Sequence, residues 1–180
     1  MTGFETKSFD HVALWVADRE PLTELLCERM GMHVIERSEE FTLVGADARE
    51  GKLTLFAADG PRQPGVLERI VLRVDDLVSA VARLPRGLSL ERRDGEVRFD
   101  GPEGVRLGLV EADGLDYDLD HVVLRVPEPL ATMEHLGAHP IQHGKAHVGA
   151  VLGGVDVHPE GALAEGRVNH LDDAGRTAPA

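Results

Sequence analysis

The sequence predicts an α+β fold made of three copies of a βαβββ module, whose curved mixed sheets carry helices on their outer face. Three observations predict it. One strand is written three times: Phe9-Asp10-His11-Val12-Ala13-Leu14-Trp15-Val16, Leu67-Glu68-Arg69-Ile70-Val71-Leu72-Arg73-Val74 and Leu119-Asp120-His121-Val122-Val123-Leu124-Arg125-Val126. Its third position falls at 11, 69 and 121, a period of roughly 50–60 residues that suits a repeated supersecondary unit. Each copy is followed by helix signals and then by further short strand-like runs.

In module one, strand 9–16 leads into Asp18-Arg19-Glu20-Pro21, an acidic, proline-bearing helix start. Leu22, Leu25, Leu26 and Met30 follow at helical spacing, and Gly31 ends the helix. Strands are expected over 32–37, 41–45 and 52–57. In module two, strand 67–74 precedes Asp75-Asp76 and a helix in which Leu77, Val78, Val81 and Leu84 share a face. Pro85-Arg86-Gly87 stops that helix, and strands follow over 88–92, 96–99 and 105–110, with a tight turn at 100–104. Module three starts at 119, with Pro127 and Pro129 at its helix entry and Leu130, Met133 and Leu136 along the helix to Gly137. Its later strands are expected near 140–143, 147–152 and 155–158. The expected organisation is therefore modules one and two paired over 1–113, a shorter third module over 114–160, and a loosely ordered tail over 161–180. Within the tail, 167–171 has the pattern of an edge strand.

Composition narrows the function classes. A formal net charge of −13 opposes a nucleic-acid or anionic-membrane surface, which would repel it. Cys27 is the single cysteine, which excludes an internal disulfide. No apolar run approaches the ~20 residues that span a bilayer, and no N-terminal segment reads as a signal peptide, so a cytoplasmic location is expected. Glycine-rich phosphate loops, a serine-nucleophile elbow and a Walker-type lysine are absent, which argues against NTP hydrolysis, dehydrogenase chemistry and serine hydrolysis.

Alternation in the repeated strand sorts its residues into faces. His11, Ala13 and Trp15 share one, while Val12, Leu14 and Val16 take the other and are expected to pack on the helix. The matching polar-bearing face holds Arg69, Val71 and Arg73 in module two, then His121, Val123 and Arg125 in module three. A curved sheet that turns His or Arg inward is a place for a small ligand. Trp15 could stack on a flat compound or simply pack in the core.

These residues also resemble a known family. Asp10-His11-Val12-Ala13-Leu14, the segment Leu25-Leu26-Cys27-Glu28-Arg29-Met30-Gly31-Met32 and the turn Gly101-Pro102-Glu103-Gly104-Val105-Arg106-Leu107 are similar to stretches of the vicinal oxygen chelate superfamily. That superfamily includes glyoxalase I, bleomycin-resistance proteins, fosfomycin-resistance enzymes and extradiol dioxygenases, and the likeness runs over residues 9–160. The resemblance implies pairs of modules around a half-open barrel, with a divalent metal held by His on a first strand and Glu on a fourth.

Carried over residue by residue, the ligand pattern is uneven. Module one offers His11 but Thr54 at the carboxylate position. Module two offers Arg69 and Gly108, with Glu111 three residues further on. Module three offers His121 and Asp156. The resemblance thus implies His121 and Asp156 as metal ligands, with His11 as a further ligand or a proton-transfer group. Modules one and two instead suggest a pocket for a polar or anionic compound lined by His11, Trp15, Thr54, Arg69 and Arg73. The cofactor expectation is a divalent metal (Fe, Mn, Ni or Zn) or none.

An odd number of modules leaves one without a partner, so a homodimer is expected in which module three pairs with its own copy. A second arrangement joins His11, His121 and Asp156 across chains. The expected function is to act on or bind a small organic molecule, as a metal-dependent dioxygenase, lyase or isomerase. The alternatives are a metal-free binding or resistance protein and a dimeric protein that lost its site.

Overall fold

In the computed structural model of the chain, the structure describes residues 11–49, 51–61, 65–127, 139–143, 147–151 and 155–159. The chain divides into two compact units: Asp10–Pro64 with Val71–Leu119, and Met1–Phe9 with Gly65–Ile70 and Asp120–Ala180.

The larger unit contains module one as expected. Strand β1 (His11–Val16) leads to helix α1 (Glu20–Glu24), whose last turn widens into a π-turn over Leu25–Arg29. Pro21 sits in the first helical turn, where its missing N–H costs nothing. Gly31, at φ +67°, takes the left-handed conformation that ends the helix, and the Met32 amide donates to the Leu26 carbonyl at 3.1 Å. Strands β2 (His33–Arg37), β3 (Phe41–Gly45) and β4 (Lys52–Ala57) follow. They form a sheet ordered β1-β4-β3-β2, mixed because β1 and β4 are parallel. Val12, Leu14, Val16, Leu22, Leu26, Val44, Leu53 and Leu55 are buried as the apolar layer.

Module two begins with β5 (Leu67–Val74) and α2 (Leu77–Arg83). The Asp76 side chain caps α2, accepting from the Ser79 amide at 3.0 Å. Hydrogen bonds from Ser79 hold the Asp76 carboxyl below its ordinary pKa. On α2 Ala80 is buried, as is the C-cap Leu84 just beyond it; Val78, expected on the same face, is 73% exposed. The helix is only two turns long, so the apolar positions outnumber those that can face inward. Strands β6 (Glu91–Arg93) and β7 (Glu96–Asp100) are joined through Asp94-Gly95, both at positive φ, the two-residue turn that matches strand twist. A short 3₁₀ turn, Pro102–Gly104, precedes β8 (Arg106–Glu111). Within this unit the end of β5 belongs to the sheet continued by β8, β7 and β6.

Two contacts join the modules inside the unit. The Glu103 carboxylate accepts from the amides of Ala17 and Asp18 at 3.2 and 3.3 Å, just past β1. Gly51, at φ +62°, lies against Tyr117 and Asp118 so closely that a Cβ there would stand 2.9 Å from the Asp118 Cα.

In the other unit, β9 (Leu119–Val126) lies between β12 (Val155–Pro159) and β5. The Arg125 amide donates to the Val66 carbonyl at 2.7 Å. In the larger unit the Arg73 amide donates to the Asp118 carbonyl at 3.0 Å, so the two first strands run antiparallel. β10 (His139–His143) and β11 (His147–Val151) form a separate antiparallel pair. The expected third-module helix and the tail, including 167–171, lie outside the described residues. Among the described residues no helix is long and apolar enough to cross a membrane.

Candidate functional site

The sheet of module one presents its second face outward. β1 alternates strictly, with His11, Ala13 and Trp15 exposed and Val12, Leu14 and Val16 buried. The β1–β4 ladder sets His11 beside Lys52, Ala13 beside Thr54 and Trp15 beside Phe56. The β3–β4 ladder extends these rows to Gly45, Leu43 and Phe41.

One row is therefore aromatic across three strands. Trp15 stacks on Phe56 with ring centroids 4.9 Å apart and planes inclined by 26°. Phe56 meets Phe41 at 5.9 Å in a tilted arrangement. Trp15 remains 62% exposed. At the other end of the strip stand His11 and Lys52, with the Thr54 hydroxyl between. The strip can stack a planar group at one end and meet an acidic group at the other.

Of the five residues expected to line one pocket, the fold brings His11, Trp15 and Thr54 onto this strip. Arg73 belongs to the same unit but is buried. Its Nη2 donates to the Leu119 carbonyl at 3.5 Å, and its side chain packs on Gly114. Arg69 belongs to the other unit, is also buried, and lies 3.7 Å from a Glu68 oxygen. The remaining Glu68 oxygen receives Nε and Nη2 of Arg125 at 3.1 and 3.0 Å.

His121 is 2% exposed, and its Nδ1 lies 2.7 Å from Oδ2 of the buried Asp120. In the β9–β12 ladder Asp156 pairs with Val123, two residues beyond His121. Thr54 pairs with Ala13, two beyond His11, so the two positions are equivalent in the repeat. The Asp156 side chain lies outside the described residues.

Module two holds a group that sequence reasoning missed. Gly108 occupies the fourth-strand position, and a side chain there would run into the carboxylate of Glu96 on neighbouring β7. Glu96 is buried, and Nε of Arg98 donates to its Oε2 at 3.0 Å. The carboxylate absent from β8 thus arrives from the adjacent strand. The signal was the glycine itself, since a strand glycine often marks a close approach by another group. Glu111 turns outward, where its carboxylate accepts from the Leu77 amide at 3.2 Å at the start of α2.

The other expected features are structural. Burial pushes the Cys27 thiol above its ordinary pKa, with the nearby Arg37 opposing, as suits a packing residue and not an activated thiolate. Among the described residues no group of three or more His, Cys, Asp or Glu side chains is placed to hold a metal ion. Beside His11 on β4 stands Lys52.

No protein-family model matches the sequence, and no curated protein does. Solved structures do. A dioxygenase candidate from Bacillus subtilis subsp. subtilis str. 168 superposes with a TM-score of 0.66 at 16% identity, over 92% of this chain and 67% of that one. Glyoxalase I from Zea mays superposes with a TM-score of 0.66 at 15% identity, over 86% and 68%. At such identities the likeness concerns the fold, and in both cases this chain spans about two thirds of the other's length. This chain has the glyoxalase/dioxygenase fold, the fold implied by the resemblance of its segments 10–14, 25–32 and 101–107.

Proposed function

We propose that this protein binds a small planar organic molecule with an acidic substituent on the outward strip of module one. The observation that carries this reading is the row of three rings headed by Trp15, left open on a face that ends in Lys52 and His11. An exposed tryptophan already stacked on a second ring is a preformed platform, so a ligand would meet little ordering cost there. Lys52 and the Thr54 hydroxyl would fix the acidic end. Should the bound compound be turned over, His11 is the proposed proton-transfer group, since imidazole is the commonest side chain in that role.

Trp15 is the single tryptophan of the chain, so its fluorescence reports on this strip alone. Titration with small aromatic carboxylates such as benzoates and naphthoates is expected to quench it saturably. Lys52→Ala should weaken the binding of the carboxylates roughly tenfold, the scale of one charged hydrogen bond, while leaving neutral aromatics unaffected. A panel that quenches only linearly with concentration would refute the reading.

A second reading is favoured by one contact, the Asp120–His121 bond. A carboxylate on one ring nitrogen is the usual support of a metal-ligating histidine, because it fixes the ring and leaves the other nitrogen for the ion. In that reading His121 and Asp156 supply ligands for Fe, Mn, Ni or Zn, which would polarise neighbouring substrate oxygens. Elemental analysis decides it: transition metal present in the wild type and lost in His121→Ala supports the reading, and unchanged metal content removes His121.

A further inference from the structure

The outward strip of module one has a fixed length, set by the ladders of its sheet. On this face β4 carries Lys52, Thr54 and Phe56, and partners on β1 and β3 complete each row. Rows on one face are two residues apart, so the row of Trp15 and Phe56 stands about 13 Å along the strand from the row of His11 and Lys52. Between them lies a single row, Ala13, Thr54 and Leu43, apolar but for one hydroxyl.

Lys52 does not shorten that distance. Gly45 is its neighbour on β3, and a Cβ there would lie 3.1 Å from Lys52 Cγ and 2.8 Å from Ile35 Cδ1. The lysine stem therefore leans over the glycine, across the sheet, and not along β4 towards the rings. Ile35 reaches the same notch because the β2–β3 pairing shifts register between Val34 and Glu36, and such an irregularity re-aims a side chain. The basic end is thus held at its full distance from the stacked rings.

We infer that the strip measures its ligand and selects an elongated, flat, apolar acid whose carboxylate stands at one end of its long axis. This rests on the ligand reading above and adds to it the length of the compound and the position of the acidic group. A benzoate stacked on Trp15, with a charged hydrogen bond of about 2.8 Å added, bridges one step of the strip. It meets Lys52 only by drawing the stem out of the notch. The outer ring of a linear three-ring acid bridges both steps, with the middle of the molecule over Ala13 and Leu43, and leaves the stem where it lies.

Isomers of one planar acid separate length from apolar area. Anthracene-2-carboxylate carries its carboxylate at the end of the long axis and anthracene-9-carboxylate carries it at the middle, with the same rings and charge. Calorimetric titration of the full chain should find the 2-isomer bound roughly tenfold more tightly, the scale of one charged hydrogen bond. Lys52→Gln should reduce that preference to about twofold or less, and Ile35→Ala, which widens the notch and keeps the charge, to roughly threefold. Unchanged urea midpoints check that both variants fold. Equal binding of the two isomers by the wild type overturns the inference and leaves the ligand reading in place. A preference that survives intact in Lys52→Gln overturns it as well, because another group would then place the carboxylate. If neither isomer binds saturably, and the benzoates and naphthoates do not either, the ligand reading falls and the inference falls with it.

Discussion

β1 and β5 are nearly the same strand in sequence, yet they sit in opposite surroundings. In β1 every second residue is exposed; in β5 everything from Arg69 to Val74 is buried. The third-position His11 is exposed, the third-position Arg69 buried, and the third-position His121 of β9 almost wholly so. The motif therefore does not set the environment of its polar residue; the place of the strand in its sheet does. An interior strand has neighbours on both sides whose side chains close over its faces, whereas an end strand has one.

Matched substitutions test that contrast directly. Val71 and Ala13 are equivalent positions, two residues beyond Arg69 and His11. Val71→Asp is expected to cost more than about 4 kcal/mol, because it buries a carboxylate without a partner, while Ala13→Thr stays within about 0.5 kcal/mol. Urea denaturation measures both, and equal losses would break the comparison. Arg73 and Trp15 form the next equivalent pair. Arg73→Ala should lose about 2 kcal/mol with its bond to the Leu119 carbonyl. Trp15→Ala should lose about 1 kcal/mol at most, the value of one ring pair.

Gly108→Ala sharpens the contrast inside module two. The added methyl group would displace the Glu96 carboxylate from its bond with Arg98 and press on Val71 Cγ2, 3.1 Å away, with a cost of about 1–3 kcal/mol. A change below about 0.3 kcal/mol would mean that Glu96 moves aside freely, against its burial.

At Tyr117 the expected change has the opposite sign. Its hydroxyl is buried without a hydrogen-bond partner among the described residues, and desolvation raises its pKa, partly opposed by the neighbouring Arg83. A raised folded-state pKa means that the stability is fully present below the ordinary phenol range and is lost as pH rises through the folded value. Tyr117→Phe should therefore be neutral or stabilising by about 1 kcal/mol at pH 7, and should flatten the alkaline decline seen in wild-type denaturation curves. A stability loss in the variant would show that the hydroxyl has a partner.

Much of the local architecture was legible in the sequence. The alternation of 11–16, the apolar spacing of Leu22, Leu25 and Leu26 and the stop at Gly31 are local rules, and they placed β1 to β5, α1 and α2 within a few residues. What local rules could not supply were neighbours. That β9 lies beside β5 depends on hydrogen bonds between strands far apart in the chain, which leave no periodic trace. The position of Glu96 over Gly108 needs the β7–β8 register, in which Arg98, two residues on, pairs with Gly108. Val78 was misread because its apolar spacing was helical, but the short helix has room for fewer inward residues. The candidate site divided in the same way. The shared face of His11 and Trp15 followed from alternation, Thr54 came from the family resemblance, and the register added Lys52 and the two phenylalanines. The burial of Arg69 and Arg73 was not readable from a pattern that looks identical in β1.

The contacts of Tyr117 also bear on where this chain can be cut. The sequence reading divides the second module from the third after residue 113, yet just past that boundary Tyr117 is only 3% exposed. Its ring covers Gly31 at the end of α1, its amide donates to the Arg73 carbonyl at 2.8 Å, and its carbonyl lies against Gly51. A fragment ending at residue 113 would discard that plug while keeping every surface it covers. The open turn at Asp94-Gly95 is the safer place to split the polypeptide or insert a foreign segment, because only a two-residue hairpin loop is disturbed there.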